Sequence, residues 1–138
     1  MSVFLDSNVL LYALGDDSPK KEAAAGLVEA LPAAWISVQV LNECSHVLRR
    51  KKGWPLQRIE PELEAVLKLL RLAPVGLAEV RQAWQLGARL GFSHYDSLIV
   101  ATALSINCSV LYSEDLQHGQ VIDGRLTIVN PFKSLDIP

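Results

Sequence analysis

Residues 3–14 read VFLDSNVLLYAL, and this stretch predicts a buried strand followed at once by a helix. The strand lies within Ser2–Asp6, a short apolar run without polar alternation, as expected of a strand covered on both faces. Ser7 and Asn8 are residue types that begin helices. In an open α/β sheet, a carboxylate at the end of such a strand lies at the edge that forms the ligand crevice. Asp6 is therefore a candidate functional residue, although it could also simply cap the helix that follows.

The rest of the chain alternates between strand and helix patterns. Further strand candidates are, in chain order, AAWISV at 33–38, RLAPV at 71–75, CSVLY at 108–112 and LTIVN at 126–130. Segments whose apolar residues recur with helical spacing separate these strands. One of these helices would carry along one face Leu77, Val80, Trp84, Gly87 and Leu90. Strands that alternate with helices predict an α/β domain with a mostly parallel sheet.

Length and charge limit the possible functions. The chain has 138 residues, which suits a single domain spanning 1–138. It carries 13 basic and 15 acidic residues, a formal net charge of −2, which argues against a protein whose only activity is coating nucleic acid. A nuclease remains compatible, because divalent cations bound to carboxylates reverse the local potential.

The cysteines and the apolar runs bear on the compartment. Cys44 and Cys108 are far apart in sequence and form no CxxC motif, so a disulfide is not expected. No secretion signal is visible, and no apolar run approaches the ~20 residues of a membrane helix. These features predict a soluble, cytoplasmic protein without a membrane partner.

Four acidic residues each stand where an apolar stretch ends or an apolar helix begins. They are Asp6 in VFLDSN, Glu43 in VQVLNEC, Asp96 in SHYDSLIVATAL and Asp115 in VLYSEDLQHG. A carboxylate beside apolar surface is costly unless a positive partner compensates it. No Lys or Arg lies within three residues of Asp6, Asp96 or Asp115. The four carboxylates therefore predict a shared cation, and hard oxygen ligands favour Mg²⁺ or Mn²⁺.

Two of these positions have alternative interpretations in the sequence alone. Glu43 borders the apolar stripe of its helix, where it could face a cleft, reach solvent, or pair with Arg49 or Arg50. Asp115 follows a strand, and its neighbour Glu114 could take its place as a ligand. The sequence favours Asp115 over Glu114 without deciding between them.

Asp96 also has a structural alternative. Ser93 and Asp96 match the S-x-x-D capping pattern, which would make Asp96 part of a helix cap. The residues that follow, LIVATAL, surround the helix with apolar groups and predict a core helix running from Ser93 to about Ile106. A carboxylate in its first turn would be held on a rigid element, as a metal ligand should be. Capping and metal binding can coexist.

Taken together, these motifs resemble a PIN domain, specifically the VapC-like toxins of bacterial and archaeal toxin–antitoxin pairs. FLDSNVLLYA resembles the opening strand-and-Asp motif of that family, and VLNE resembles its helix-borne Glu. HYDSLIVATAL resembles the third acidic motif, and LYSEDLQHGQ resembles the closing strand with its Ser/Thr and Asp. The motifs occur in the family's order over essentially the whole chain.

The resemblance implies a three-layer α/β/α sandwich and a Mg²⁺- or Mn²⁺-dependent endoribonuclease, usually restrained by a cognate antitoxin and often a homodimer. Its catalytic, metal-binding quartet would be Asp6, Glu43, Asp96 and Asp115, with Ser7, Asn8 and Ser113 as supporting polar residues. Such a site would hydrolyse RNA by in-line attack of a metal-activated water. Two alternatives remain open: a non-catalytic PIN-like module that binds RNA or a partner, and a housekeeping RNA-processing nuclease.

Overall fold

The computed structural model describes residues 2–31 and 33–135, and in this part of the chain six strands form one sheet. The strands are β1 (Val3–Leu5), β2 (Trp35–Ser37), β3 (Arg71–Ala73), β4 (Val110–Tyr112), β5 (Val121–Ile122) and β6 (Leu126–Val129). Their order across the sheet is β3-β2-β1-β4-β6-β5. Every neighbouring pair is parallel except β5 with β6. The predicted, mostly parallel sheet is confirmed.

Helices cover this sheet and complete the three-layer α/β/α arrangement that the resemblance implied. They are α1 (Ser7–Leu14), α2 (Pro19–Ala30), α3 (Val38–Arg50), α4 (Leu56–Leu67), α5 (Leu77–Leu90) and α6 (His94–Ser105), followed by a 3₁₀ turn at Lys133–Leu135. Helix α1 packs on α2 and α3, α3 packs on α4, and α5 packs on α6. Within the described residues, no helix has the length and apolar character needed to cross a bilayer.

Strand β1 runs through the middle of the sheet and fixes the position of the residues that follow it. Its three residues are buried, as its unbroken apolar sequence predicts. Because β1 and β4 are parallel, Asp6 and Ser113 leave the sheet at the same edge. The Asp6 N–H donates to the carbonyl oxygen of Tyr112 at 3.0 Å, which ties the two strand ends together. Ser37 ends β2 on the other side of β1, and α3 begins directly after it.

Helix α6 is the core helix that its sequence predicts. All residues from Ser97 to Leu104 are buried, so apolar groups surround the helix on every side. The Ser93 hydroxyl caps it by accepting a hydrogen bond from the Asp96 N–H at 3.2 Å. Both free cysteines, Cys44 and Cys108, are buried, and they form no disulfide.

The β5–β6 hairpin is an element that the sequence interpretation missed. Residues 121–122 pair antiparallel with the start of β6. Asp123 and Gly124, which follow β5, both have positive φ angles, of 53° and 63°. An Asp-Gly pair between apolar runs is a strong hairpin signal, since both turn positions need that conformation. The signal was therefore present, but the strand is only two residues long.

The apolar stripe predicted for α5 is only partly buried. Leu77 and Trp84 are 59% and 60% exposed, whereas Ala83 and Leu86 are almost completely buried. The helix therefore turns a neighbouring face toward α6, its main packing partner. Both faces of α5 carry apolar residues, so periodicity alone could not identify the buried one.

Two matched leucine substitutions should distinguish the core helix from this exposed stripe. Leu104→Ala removes a side chain that is 1% exposed in α6 and should lower the free energy of unfolding by about 3 kcal/mol. Leu77→Ala changes a side chain that is 59% exposed in α5 and should cost less than about 1 kcal/mol at protein concentrations where the chain is monomeric. Urea unfolding followed by circular dichroism measures both. Equal losses would contradict the burial described for the two helices.

Candidate functional site

Asp6 lies at the carboxyl end of β1 with only 3% of its surface exposed. Its Oδ1 accepts hydrogen bonds from the backbone N–H of Ser7 at 2.7 Å and from the Ser7 hydroxyl at 3.3 Å. Its Oδ2 accepts from the Ser113 hydroxyl at 2.8 Å and from the Asn8 side-chain amide at 3.4 Å. These donors are all neutral. They satisfy the carboxylate oxygens but do not compensate the charge.

The environment of Asp6 disfavours its ionised form. Burial raises the pKa of Asp6 to about 6, against an ordinary value of 3.8, despite the opposing hydrogen bonds from Ser113 and Ser7. The negative charges of Asp115 and Glu43 raise this pKa further. A bound cation would compensate this cost, since it stabilises the charged form of every carboxylate around it.

Glu43 joins the same network from helix α3. The Ser7 hydroxyl lies 2.7 Å from Glu43 Oε2 and 3.3 Å from Asp6 Oδ1, so its single proton lies between two carboxylates. The other oxygen, Oε1, accepts a hydrogen bond from the Gln39 amide at 2.8 Å. Both oxygens of Glu43 are therefore held by neutral side chains, one on α1 and one on α3 itself.

Asp115 is connected to Asp6 through Asn8 and Ser113. The Asn8 amide nitrogen lies 3.2 Å from Asp115 Oδ2 and 3.4 Å from Asp6 Oδ2. The Asp115 N–H donates to the Ser113 hydroxyl oxygen at 3.2 Å. The same serine donates to Asp6, so the loop after β4 is fastened to the end of β1.

Glu114, the alternative to Asp115, is engaged elsewhere. Its carboxylate forms an ion pair with Lys20, which also approaches the Tyr12 hydroxyl. Its backbone N–H donates to Asn8 Oδ1 at 3.1 Å. Glu114 is thus neutralised by its own cation, whereas Asp115 stays in the network of carboxylates.

Asp96 approaches the other carboxylates from the first turn of α6. Burial raises its pKa, the hydrogen bond with Ser93 lowers it, and the charges of Asp115 and Glu43 raise it again. Asp96 is therefore within electrostatic range of both residues. Across residues 2–31 and 33–135, however, no hydrogen bond joins its carboxylate to the other three.

Within residues 2–31 and 33–135 the four carboxylates form no ion pair, and their residue types suit a hard divalent cation. In the described part of the chain, the ion pairs are Lys20–Glu114, Lys21–Asp17 and Arg89–Asp123. None involves the quartet, and Glu43 does not pair with Arg49 or Arg50. Among the same residues, no three Asp, Glu, His or Cys side chains are close enough together to hold a metal ion. The donor types fit such an ion, but their arrangement is not a closed ligand shell.

Two residues of this region were not identified from the sequence. Gln39 binds Glu43 one helical turn away, and a Gln–Glu pair at i, i+4 on one helix face was the signal for it. Lys20, the partner of Glu114, lies 94 positions away in sequence, and no local pattern reveals that pairing. The Lys20 contact gives Glu114 a cationic partner, and the Gln39 contact gives Glu43 a neutral one.

The sequence matches the family model described as PIN domain over residues 3–122, which includes all four acidic residues. The chain belongs to the PIN domain family. Its fold is also similar to solved structures of VapC toxins and toxin–antitoxin complexes. No curated protein sequence matches the chain significantly.

Three solved structures illustrate the fold that this PIN domain shares. VapC20 of Mycobacterium tuberculosis, described as a sarcin–ricin loop cleaving toxin, has 20% identity and a TM-score of 0.70, with 82% of this chain and 89% of that chain covered. VapBC2 of Rickettsia felis, bound to a promoter DNA fragment, has 19% identity and a TM-score of 0.72, covering 94% and 100%. A toxin–antitoxin complex from Klebsiella pneumoniae has 19% identity and a TM-score of 0.71, covering 94% and 97%.

The raised pKa of Asp6 predicts how stability depends on pH. Between about pH 4 and about pH 6 the folded protein holds a proton on Asp6 that the unfolded chain has lost, so this carboxyl makes stability fall as pH rises through that window. Asp6→Asn removes the effect. Without divalent metal, the variant should gain on the order of 2 kcal/mol relative to wild type between about pH 4 and about pH 7.5.

Urea unfolding at several pH values in the presence of a chelator measures this gain. Asp16→Asn, an exposed carboxylate outside the network, is the matched control and should show no such change. A constant difference between Asp6→Asn and wild type across the pH range would mean that Asp6 ionises at its ordinary pKa.

Proposed function

We propose that this PIN domain is a metal-dependent endoribonuclease, the toxin of a type II toxin–antitoxin pair, which hydrolyses RNA phosphodiester bonds at the acidic quartet. One observation carries the proposal. Asp6, Glu43 and Asp115 share a network of neutral hydrogen bonds, Asp96 lies within electrostatic range, and no ion pair in the described chain neutralises them. The M. tuberculosis structure of the same fold is described as a sarcin–ricin loop cleaving toxin, which supports a nucleic-acid loop as the class of substrate.

The quartet residues would take different parts in holding Mg²⁺ or Mn²⁺. Asp6 and Asp96 are the proposed direct ligands, because Asp6 is buried at the strand end and Asp96, which is partly exposed, lies in the first turn of a helix whose following residues are buried. Glu43 would act on a second ion or through water, and Asp115 would complete the shell. When bound, the cation supplies Lewis acidity at the scissile phosphate and lowers the pKa of a coordinated water.

The supporting residues keep the carboxylates oriented. Ser7 holds one oxygen of Asp6 and one of Glu43, while Ser113 holds the second oxygen of Asp6. Asn8 connects Asp6 to Asp115. Because these donors are neutral, they position the charges without reducing the attraction for a cation. They also leave the site repulsive toward phosphate, so RNA binding should depend on metal.

Neutral replacements of the two proposed direct ligands should strongly reduce cleavage. Asp6→Asn and Asp96→Asn each keep the size of the side chain but remove one negative charge. In the presence of Mg²⁺ or Mn²⁺, each should reduce RNA cleavage by roughly a hundredfold or more, as expected when metal-dependent charge stabilisation is lost. The purified variants are assayed on labelled RNA, with circular dichroism to verify the fold. In cells, they should also relieve the growth arrest that the wild-type chain causes.

The neighbouring pair Asp115 and Glu114 provides the matched control. Asp115→Asn should weaken cleavage and Mn²⁺ binding, whereas Glu114→Gln removes a carboxylate already paired with Lys20 and should change Mn²⁺ binding little. Full activity in Asp6→Asn or Asp96→Asn would reject the site. If the wild-type protein binds RNA but does not bind Mn²⁺ and does not cleave RNA, it is a non-catalytic module. Cleavage without growth arrest would favour a housekeeping nuclease.

The proposed protein partners are a cognate antitoxin and a second copy of the chain. Solved structures of similar fold include toxin–antitoxin complexes from Klebsiella pneumoniae and Rickettsia felis, which supports the antitoxin. The exposed stripe of α5 supports the homodimer. Leu77 and Trp84 are seven residues apart and therefore on the same face of the helix, where they leave two large apolar side chains in solvent.

A charge placed in that stripe should break the dimer. Trp84→Glu inserts a carboxylate at the exposed tryptophan and should convert a wild-type dimer into monomers, because an unpaired charge in an apolar interface is costly. Light scattering coupled to gel filtration measures the mass. Gln85→Glu adds the same charge at an exposed position one residue away and should remain dimeric. A monomeric wild type, or a dimeric Trp84→Glu, would contradict this interface.

A further inference from the structure

Gln39 is a buried polar residue that connects two parts of the acidic site. It lies in the first turn of α3 with 8% of its surface exposed. Its amide nitrogen donates to Glu43 Oε1 at 2.8 Å and to the backbone carbonyl of Tyr95 at 3.1 Å. Tyr95 belongs to the first turn of α6 and directly precedes Asp96. One amide group therefore bridges the helix of Glu43 and the helix of Asp96.

The orientation of this amide is determined by its surroundings. Its two partners, a carboxylate oxygen and a carbonyl oxygen, are both acceptors, so only the NH₂ group can face them. In the described chain the other atom, Gln39 Oε1, is buried and has no hydrogen-bond partner. A buried acceptor without a partner is costly, and a reversed amide would place that acceptor against two other oxygens. The bridge is maintained although it leaves one polar atom unsatisfied.

We propose that Gln39 is a positioning residue, which sets the Glu43 carboxylate relative to the first turn of α6 and so fixes the spacing of Glu43 and Asp96. This inference rests on the proposed function of the same site. Glu43 accepts hydrogen bonds from two neutral side chains, which lie on different sides of its carboxylate. Ser7 ties Oε2 toward Asp6, while Gln39 ties Oε1 toward α6. Residues that orient metal ligands in this way commonly affect metal affinity without contacting the substrate.

Gln39→Met tests the proposal, because it keeps the length of the side chain and removes the donor. The Mn²⁺ requirement, measured both as the Kd for Mn²⁺ by titration calorimetry without RNA and as the Mn²⁺ concentration that gives half-maximal RNA cleavage, should rise about tenfold, as for other residues that hold metal ligands. The KM for RNA at saturating Mn²⁺ should stay within about twofold of wild type, since only 8% of the Gln39 surface is exposed and its amide nitrogen already donates to Glu43 and Tyr95. Gln57→Met, the same change at an exposed position of α4, is the matched control and should leave both values unchanged.

The measurement separates positioning from simple support of the fold. If Gln39 only stabilised the fold, Gln39→Met would lower the melting temperature. It would not change the Mn²⁺ requirement at a temperature where the variant is folded. Gln39→Leu provides a second variant, which also removes the amide donor without adding a charge and should raise the Mn²⁺ requirement by a similar factor. An unchanged Mn²⁺ requirement in the folded variants, with Asp6→Asn inactive, would overturn the role of Gln39 alone. A wild-type protein that does not cleave RNA would overturn the proposed function itself.

Discussion

The parallel pairing of β1 with its two neighbours is the constraint on which the candidate site depends. Parallel strands bring their carboxyl ends to one edge of the sheet, and here the ends of β1 and β4 are joined by the Asp6–Tyr112 hydrogen bond. Ser113 then reaches Asp6 although the two residues are 107 positions apart. Helix α3 begins directly at the end of β2, which delivers Glu43 to the same edge. The topology of the sheet thus determines which polar residues can meet.

At that edge of the sheet a basic side chain pairs with one carboxylate and leaves its neighbours without an ion pair. Glu114 has an ion pair with Lys20, yet the next residue, Asp115, receives only neutral hydrogen bonds. Asp6 is more deeply buried than either and also lacks a cation among the described residues. An arrangement optimised for stability alone would pair or remove a buried charge, because its desolvation is costly. The protein instead keeps the buried Asp6 carboxylate without an ion pair in the described chain, at a cost in stability. Proteins commonly accept such a cost at functional sites.

Much of this fold could be predicted from the sequence, because its central elements are locally unambiguous. The run VFL before Asp6 and the all-round apolar helix after Ser93 have few alternatives, and both are found where expected. The hairpin strand β5 was missed because two residues carry almost no periodicity. The buried face of α5 was not predictable, since tertiary packing on α6 decides between two apolar faces.

The sequence named candidate residues for the site but could not give their geometry. The motifs pointed to Asp6, Glu43, Asp96 and Asp115. The hydrogen bonds from Ser7 to Glu43 and from Asn8 to Asp115 could be identified only in the folded structure. Pairs of residues that are far apart in sequence, such as Lys20 and Glu114, produce no periodic pattern in the sequence.

The two outermost strands have a consequence for the behaviour of the protein in solution. At one margin of the sheet β3 has three residues, and at the other β5 has two and runs against its neighbour. Open margins of sheets can recruit strands from other molecules, and short ones offer few free backbone groups for this. Intermolecular strand addition, and with it fibrous aggregation, is thereby disfavoured in a chain whose composition is 50% hydrophobic.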